Sequence, residues 1–206
     1  MSYDRLQEMF RYITPGLYLL ALVLIVNFEA ISINDKLCDT ISKLSAVIIV
    51  LMPFVGFVFG YLIECLMTWF ERLLYFWGIP RPSRVVLNGK CSLYVIGDEV
   101  RQAVTTDKKV KNNVANRYQQ IAKQTLGDND VISRCYYQSI MARHILGAQL
   151  LASIYYLAFA GGWSWSHLFL AVIILVILAF FWYHQTCVYM KYLFAEYAKY
   201  IKQQLN

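Results

Sequence analysis

The chain has 206 residues, of which 59% are hydrophobic and only 16% charged, whereas about 25% of the residues in an average soluble domain are charged. A chain of this composition cannot cover itself with polar side chains, which excludes an ordinary soluble globular protein. The net charge of +6 favours anionic partners.

Four apolar runs, at 16–28, 45–70, 145–163 and 168–183, predict four transmembrane helices. A helix of about 20 residues crosses the hydrocarbon core of a bilayer. The second and third runs reach that length unaided, the first needs its flanks, and the fourth continues past His184 to Tyr189 and Met190. Nothing at the N-terminus resembles a cleaved signal peptide, so the first span is expected in the mature protein.

The distribution of Lys and Arg predicts the topology. Residues 71–144 contain twelve basic and six acidic side chains, whereas the loop 29–43 has two basic and three acidic ones. Because basic loops remain in the cytoplasm, the N-terminus, the middle segment and the C-terminus are all expected there.

Glu64 is a single acid in the second apolar run. One interpretation is an interfacial carboxylate that reaches the headgroups or pairs with Arg72. The other is a ring of acids that lines a pore or cavity, since ionisable groups inside membranes are functional candidates. Gly56 and Gly60, four residues apart in the same run, predict close helix packing, either within one chain or between chains.

The segment after the second span contains Pro80 and Pro82, which end a helix, and then VVLNGKCSLYVI at 85–96. Asn88-Gly89 between β-prone runs predicts a small β-hairpin with a type I′ turn.

From Val100 to Leu126, apolar residues recur at helical spacing, and basic and amide side chains are interleaved with them. This pattern favours either an anion-binding face or a solvated face. The candidate ligand-binding cations are Lys108, Lys109, Lys111, Arg117 and Lys123.

A break at 127–130 is followed by a helix that runs without interruption into the third span. Arg134 and Tyr137 lie one turn apart on it, and Arg134 with Tyr136 or Tyr137 can bind a phosphate and stack a base. The alternative is an aromatic belt at the inner membrane surface.

Catalytic signals are weak. The three histidines have no metal-ligand spacing, and the five cysteines contain no CxxC. We therefore expect no enzyme, no catalytic or metal-binding residues, no cofactor and no intrachain disulfide. An intramembrane enzyme that uses Glu64 and His184 is the third, least favoured class.

Two apolar spans, a basic insert that opens with FWGIPRPSR, and a helix that carries YYQSIMARHILGAQLL into two more spans resemble the small four-span effectors of bacterial anti-phage systems. The Hailong channel effectors are similar in layout. That resemblance implies a tetrameric channel in the inner membrane, opened by an oligodeoxyadenylate messenger. The Kiwa membrane subunits, which are also similar, imply a sensor bound to a cytosolic defence protein.

The sequence thus predicts an all-α integral membrane fold with four transmembrane helices and a cytosolic helical insert that carries the hairpin. The predicted domains are an N-terminal helix pair at 1–70, the basic insert at 71–144, and a C-terminal helix pair with a cytosolic tail at 145–206. The predicted function is a homo-oligomeric effector, a ligand-gated channel or membrane-disrupting protein opened by a nucleotide messenger. The alternative is a membrane sensor or anchor that recruits a cytosolic partner.

Overall fold

The computed structural model describes residues 3–27, 43, 45–89, 96–105, 110–126, 130–159 and 165–205. All regular structure in these ranges is helical, so the all-α part of the predicted fold is confirmed for them. The helices are α1 (Tyr3–Val26), α2 (Ser45–Phe76), α3 (Pro82–Asn88), α4 (Asp98–Val104), α5 (Asn112–Leu126), α6 (Asp130–Phe159) and α7 (Trp165–Leu205).

Within the ranges that the structure describes, two helices are long and apolar enough to cross a membrane. They are α2, over Ile49–Phe76, and α7, over Trp165–Gln204. Only 17% and 6% of their most apolar 18-residue windows are buried, whereas a core helix of a soluble protein would be mostly buried. The apolar part of α1, Phe10–Val26, is shorter, and α6 is not among the long apolar helices of the described ranges. Two of the four predicted spans are thus supported by length and composition.

The chain divides into two compact units. Unit 1 comprises Met1–Phe70 and Met141–Ala179, and unit 2 comprises Glu71–Ile140 and Phe180–Asn206. Helices α2, α6 and α7 each contribute residues to both units. The predicted domains 1–70, 71–144 and 145–206 stay a prediction.

Polar contacts set the helix directions in unit 1. The Tyr18 hydroxyl of α1 donates to Gln149 Oε1 of α6 at 3.0 Å. Nine residues further on, directly after the end of α1, Asn27 Nδ2 donates to the Tyr155 hydroxyl of α6 at 2.9 Å, so α1 and α6 run in the same direction. The Tyr156 hydroxyl lies 2.9 Å from Nδ1 of His167, close to the start of α7.

Unit 2 has its own hydrophobic core, built around the C-terminal part of α7. Leu193 and Phe194 are fully buried there together with Leu87 of α3. Tyr189 and Met190, which the sequence assigns to an extension of the fourth span, also belong to this core.

The predicted β-hairpin is wrong in its first strand, because residues 82–88 form α3. A type I′ turn requires positive φ at both central residues. Among the described residues no position other than glycine has positive φ, and Gly89, at φ 59°, ends α3 as a left-handed C-cap. The Asn88 side chain donates to the Val110 carbonyl at 3.0 Å and accepts from the Val110 amide at 2.8 Å. Residues 90–95 of the predicted hairpin lie outside the described residues, and its last residue, Ile96, is buried in the core of unit 2.

The apolar stripe predicted from Val100 to Leu126 is divided between two helices. Helix α4 ends at Val104, and α5 begins at Asn112. Val104 and Val110 flank this interruption and are both buried in the core of unit 2. Lys108 and Lys109 lie outside the described residues.

A buried ionic cluster and a basic face as candidate functional sites

Glycine brings α1 and α2 of unit 1 into close contact. A Cβ atom added to Gly16 would overlap the carbonyl of Gly56, and one added to Gly60 would overlap the carbonyl of Tyr12. Both contacts place Gly56 and Gly60 against α1 of the same chain, and the residue pairs show that α1 and α2 are antiparallel. Small residues allow such close backbone approach between helices.

Helix α6 approaches α2 in a similar way. A Cβ atom added to Gly147 would lie 2.6 Å from Met67 Cγ and 2.8 Å from Ile63 Cγ2. Ile63 and Met67 are fully buried. Because α2 contacts both α1 and α6, a side chain on its buried face can reach polar groups on either helix.

Glu64 of α2 contacts polar groups on both neighbouring helices. Its Oε2 accepts a hydrogen bond from Arg11 Nη2 of α1 at 3.2 Å, its Oε1 contacts Arg143 Nη2 of α6, and Nε2 of His144 also contacts Oε2. We call Arg11, Glu64, Arg143 and His144 the ionic cluster. One carboxylate therefore joins three helices of unit 1.

His144 has an acceptor at each ring nitrogen. Its Nδ1 lies 3.1 Å from the main-chain carbonyl of Arg11, and its Nε2 faces the Glu64 carboxylate. The ring is completely buried and stacks on Tyr12, with centroids 6.1 Å apart.

Positive charge and donors exceed negative charge and acceptors in the ionic cluster. Two guanidinium groups and one imidazole share one carboxylate, and Arg11 Nε is buried without a hydrogen-bond partner among the described residues. The side chains of Arg11, Arg143 and Glu64 are 16%, 14% and 19% exposed, so they are mostly withdrawn from solvent.

The sequence alone identified Glu64 but none of its partners. Glu64 is 53, 79 and 80 residues from Arg11, Arg143 and His144, and no short motif records such distances. The suggested pairing with Arg72 is wrong, because Arg72 is exposed and these three residues supply the contacts to Glu64. The weak signal was the adjacent pair Arg143-His144 just before an apolar run.

The ligand-binding residues predicted from the sequence lie in unit 2. Lys111, Arg117 and Arg134 are exposed, while Tyr137 is half-buried. Lys108 and Lys109 cannot be placed, since they fall outside the described residues. We call the exposed cations Lys111, Arg117 and Arg134 the basic face, a name that refers to their shared exposure in unit 2.

Lys123 has a distinct environment between two tyrosines. Its Nζ lies 4.0 Å from the ring centroid of Tyr136 and 5.5 Å from that of Tyr189. Beside them is a cavity of about 180 Å³, whose remaining lining is Ser133 and the apolar side chains Leu126, Ile132 and Leu193. A cation, hydroxyl groups and aromatic rings thus line one small cavity in unit 2, which we call the tyrosine cavity. The sequence pattern indicated Tyr136 as a candidate, but no local signal pointed to Ser133 or Tyr189.

In the described ranges, no three His, Cys, Asp or Glu side chains cluster as metal ligands do. Comparisons of this chain with protein-family models, with characterised proteins and with solved structures find no match.

Proposed function

We propose that this protein is a multi-pass, homo-oligomeric effector of the bacterial inner membrane, in which an anionic nucleotide messenger opens a channel or disrupts the bilayer. In this proposal, unit 1 supplies four spans from α1, α2, α6 and α7. The antiparallel contact of α1 with α2, and the shared direction of α1 and α6, support alternating spans, and the charge distribution favours both termini in the cytoplasm.

The observation that carries the proposal is the segregation of charge between the units. Unit 2 contains fourteen basic and seven acidic side chains, whereas unit 1 contains five and six. A membrane unit with few charges and a basic cytosolic unit follow the positive-inside rule. The same excess of cations in unit 2 attracts anions.

The chemistry of unit 2 favours a nucleotide over a simple anion. The basic face offers Lys111, Arg117 and Arg134 to phosphates, and the half-buried ring of Tyr136 at the tyrosine cavity is available to stack a base. An oligonucleotide with several phosphates engages several cations at once, which a single phosphate cannot do.

In this proposal the ionic cluster stabilises one arrangement of unit 1, since its contacts join α1, α2 and α6. A ligand that binds one arrangement of unit 2 more tightly than another shifts the equilibrium towards that arrangement. Because α6 and α7 belong to both units, the shift changes these two helices. Because two arginines adjoin Glu64, a conducting path beside the ionic cluster would favour anions over cations.

The test is salt-dependent binding of a short fluorescent oligonucleotide to the purified protein. Each neutralised phosphate of a single strand contributes about 0.7 to the slope of log affinity against log salt. Replacing Lys108, Lys109 and Lys111 with alanine is therefore expected to reduce that slope by about 2. The double variant Lys199→Ala and Lys202→Ala, at the end of α7, is the control and is expected to leave the slope unchanged.

Flux through liposomes provides the second readout. The oligonucleotide is expected to increase chloride release from proteoliposomes, and the triple variant to suppress that increase. If the protein binds oligonucleotides no better than a neutral polymer at low salt, the messenger-gated effector is refuted. The alternative, an anchor that recruits a cytosolic defence protein, then replaces it.

A further inference from the structure

We infer that unit 2 contacts the lipid headgroup region through a collar of exposed side chains, and that α7 leaves the membrane at Tyr183. The collar consists of Phe76, Trp77 and Ile79 at the end of α2 and Phe180 and Phe181 of α7. The inference rests on the proposed function only in that α2 and α7 cross a bilayer. It concerns neither the messenger nor the ionic cluster.

Helix α7 is too long for its whole apolar range to lie inside a membrane. The range Trp165–Gln204 has 40 residues, which at about 1.5 Å per residue is roughly 60 Å. The hydrocarbon core of a bilayer is about 30 Å thick, and helix tilts of up to about 40° do not remove that difference. A large part of α7 therefore lies outside the membrane, and the exposure of its side chains indicates which part.

Exposed apolar side chains on α7 become rare after Phe181. Nine large apolar residues from Trp165 to Phe181 are exposed, and among them Phe180 and Phe181 are 69% and 47% exposed. Beyond Phe181, two tyrosines are the exposed large apolar residues in the described part of α7, whereas Leu193 and Phe194 lie in the core of unit 2. The segment from Trp165 to Phe181 is about 25 Å long, which is close to the thickness of the hydrocarbon core.

The end of α2 shows the same change. Phe76 and Trp77 are 87% and 72% exposed, and Ile79 is exposed as well. After Ile79, the next exposed large apolar residue in the described ranges is Val131. The exposed apolar surface of this part of the chain therefore ends within three residues of α2.

A hydrogen bond joins the two halves of the collar. The Tyr183 hydroxyl donates to the main-chain carbonyl of Pro80 at 2.8 Å. Pro80 directly follows Ile79, and Tyr183 lies two residues after Phe181. In both helices the exposed apolar run precedes this bond in the chain. The two halves of the collar therefore lie at one level of unit 2.

The turn after α2 holds Trp77 in a fixed position. The amide of Gly78, which has φ 91°, donates to the Tyr75 carbonyl at 3.4 Å, and the Ile79 amide donates to the Leu74 carbonyl at 3.2 Å. This pair of bonds is the Schellman motif, in which a glycine at positive φ ends a helix. An ordered turn thus presents the exposed rings of the collar.

The chemistry and position of the collar favour lipid over a protein partner. Trp and Tyr are enriched at the membrane–water interface, and long basic side chains near helix ends extend to the headgroups. Arg72 is exposed one turn before Phe76, and the Arg81 guanidinium lies 4.9 Å from the centre of the Tyr75 ring. A cytosolic protein would account for exposed rings on unit 2, but not for their position at the ends of two apolar runs.

The experiment measures the depth of single tryptophans in the full chain, reconstituted in phosphatidylcholine vesicles. Trp69, Trp163, Trp165 and Trp182 are replaced by phenylalanine, which leaves Trp77 as the probe. Lipids brominated near the carbonyl end of the acyl chain are expected to quench Trp77 more than lipids brominated near the terminal methyl. Quenching by aqueous acrylamide without quenching by either lipid would overturn the inference, as would stronger quenching by the deep bromine.

Three probes along α7 test the level independently of Trp77. In the chain without its native tryptophans, Val176→Trp lies about 10 Å before Tyr183, Phe180→Trp lies in the collar, and Tyr192→Trp lies about 14 Å beyond Tyr183. They are expected to be quenched best by the deep bromine, the shallow bromine and acrylamide, respectively. All three positions are exposed, so the larger ring does not disturb core packing.

The outcomes separate this inference from the proposed function. If neither brominated lipid quenches Val176→Trp, α7 does not cross the membrane and the proposed function fails. If the deep bromine quenches Val176→Trp but brominated lipid also quenches Tyr192→Trp, α7 stays in the membrane beyond Tyr183 and only this inference fails. Trp182 is buried, so if its replacement prevents folding it is retained, and its signal, measured in a chain that also carries Trp77→Phe, is subtracted.

Discussion

Replacement of Glu64 by glutamine tests whether the ionic cluster holds unit 1 together. The substitution keeps the shape of the side chain but removes the charge that faces Arg11, Arg143 and His144. Three donors on two other helices then share a neutral amide, and the negative charge that faces the two guanidinium groups is lost. The destabilisation comes from the lost ion pairs, not from a lost volume.

The expected magnitude follows from burial. Removing one partner of a buried ion pair costs about 3–5 kcal/mol. Because Glu64 retains 19% exposure, we expect the lower end, about 3 kcal/mol. For a chain of 150–250 residues, 1 kcal/mol corresponds to about 2–4 °C, so the melting temperature is expected to fall by about 6–12 °C.

The assay is thermal unfolding in neutral detergent without anionic lipid. Glu196→Gln is the matched control, because Glu196 pairs with Lys199 at 2.6 Å on the surface, where Lys199 is 66% exposed. Such a surface pair is worth about 0–1 kcal/mol. If Glu64→Gln lowers the melting temperature no more than Glu196→Gln, the ionic cluster does not stabilise unit 1. A double-mutant cycle with Arg143→Gln is expected to show a coupling energy of about 1–3 kcal/mol.

Three further predictions concern topology, packing and thiol chemistry. Reporter fusions after Lys123 are expected in the cytoplasm and fusions within 35–43 in the periplasm, and a periplasmic signal at Lys123 would contradict the topology. Gly16→Ala is expected to lower the yield of folded protein, measured by gel filtration, because the added Cβ overlaps the backbone of α2, whereas Gly97→Ala meets no atom within 4 Å and serves as control. Burial raises the pKa of the Cys135 thiol, so less of it is thiolate at pH 7. A variant with Cys135 as its sole cysteine is therefore expected to react with maleimide at pH 7 more slowly than a free cysteine peptide, and faster as the pH rises. Equal rates at pH 7 would refute this.

Sequence periodicity and breakers determined most of the helices. The end of α2 before Pro80, the end of α5 before Gly127 and the unbroken α6 were all readable, because local backbone preferences decide where helices stop. Apolar composition likewise indicated the two long exposed helices, α2 and α7. These features depend on residues close together in the chain.

Local sequence patterns predicted the wrong structure where one motif is compatible with two structures. Asn88-Gly89 suits a hairpin turn and also a helix C-cap, since both place glycine at positive φ. Only packing chose between them, because α3 buries Val86 and Leu87 in the core of unit 2 and Asn88 binds the Val110 backbone. The C-terminal part of α7 is a similar case, since its apolar residues suit either a membrane span or a protein core.

Tertiary structure alone decided the partners of Glu64. The sequence showed a single acid in an apolar run, which indicated a functional candidate but not the groups it contacts. Close approach at Gly16, Gly56 and Gly147 brings three helices together, and only that packing places Arg11, Arg143 and His144 around one carboxylate. Residues so far apart in the chain meet only when the helices pack, which is why no local pattern predicted the ionic cluster.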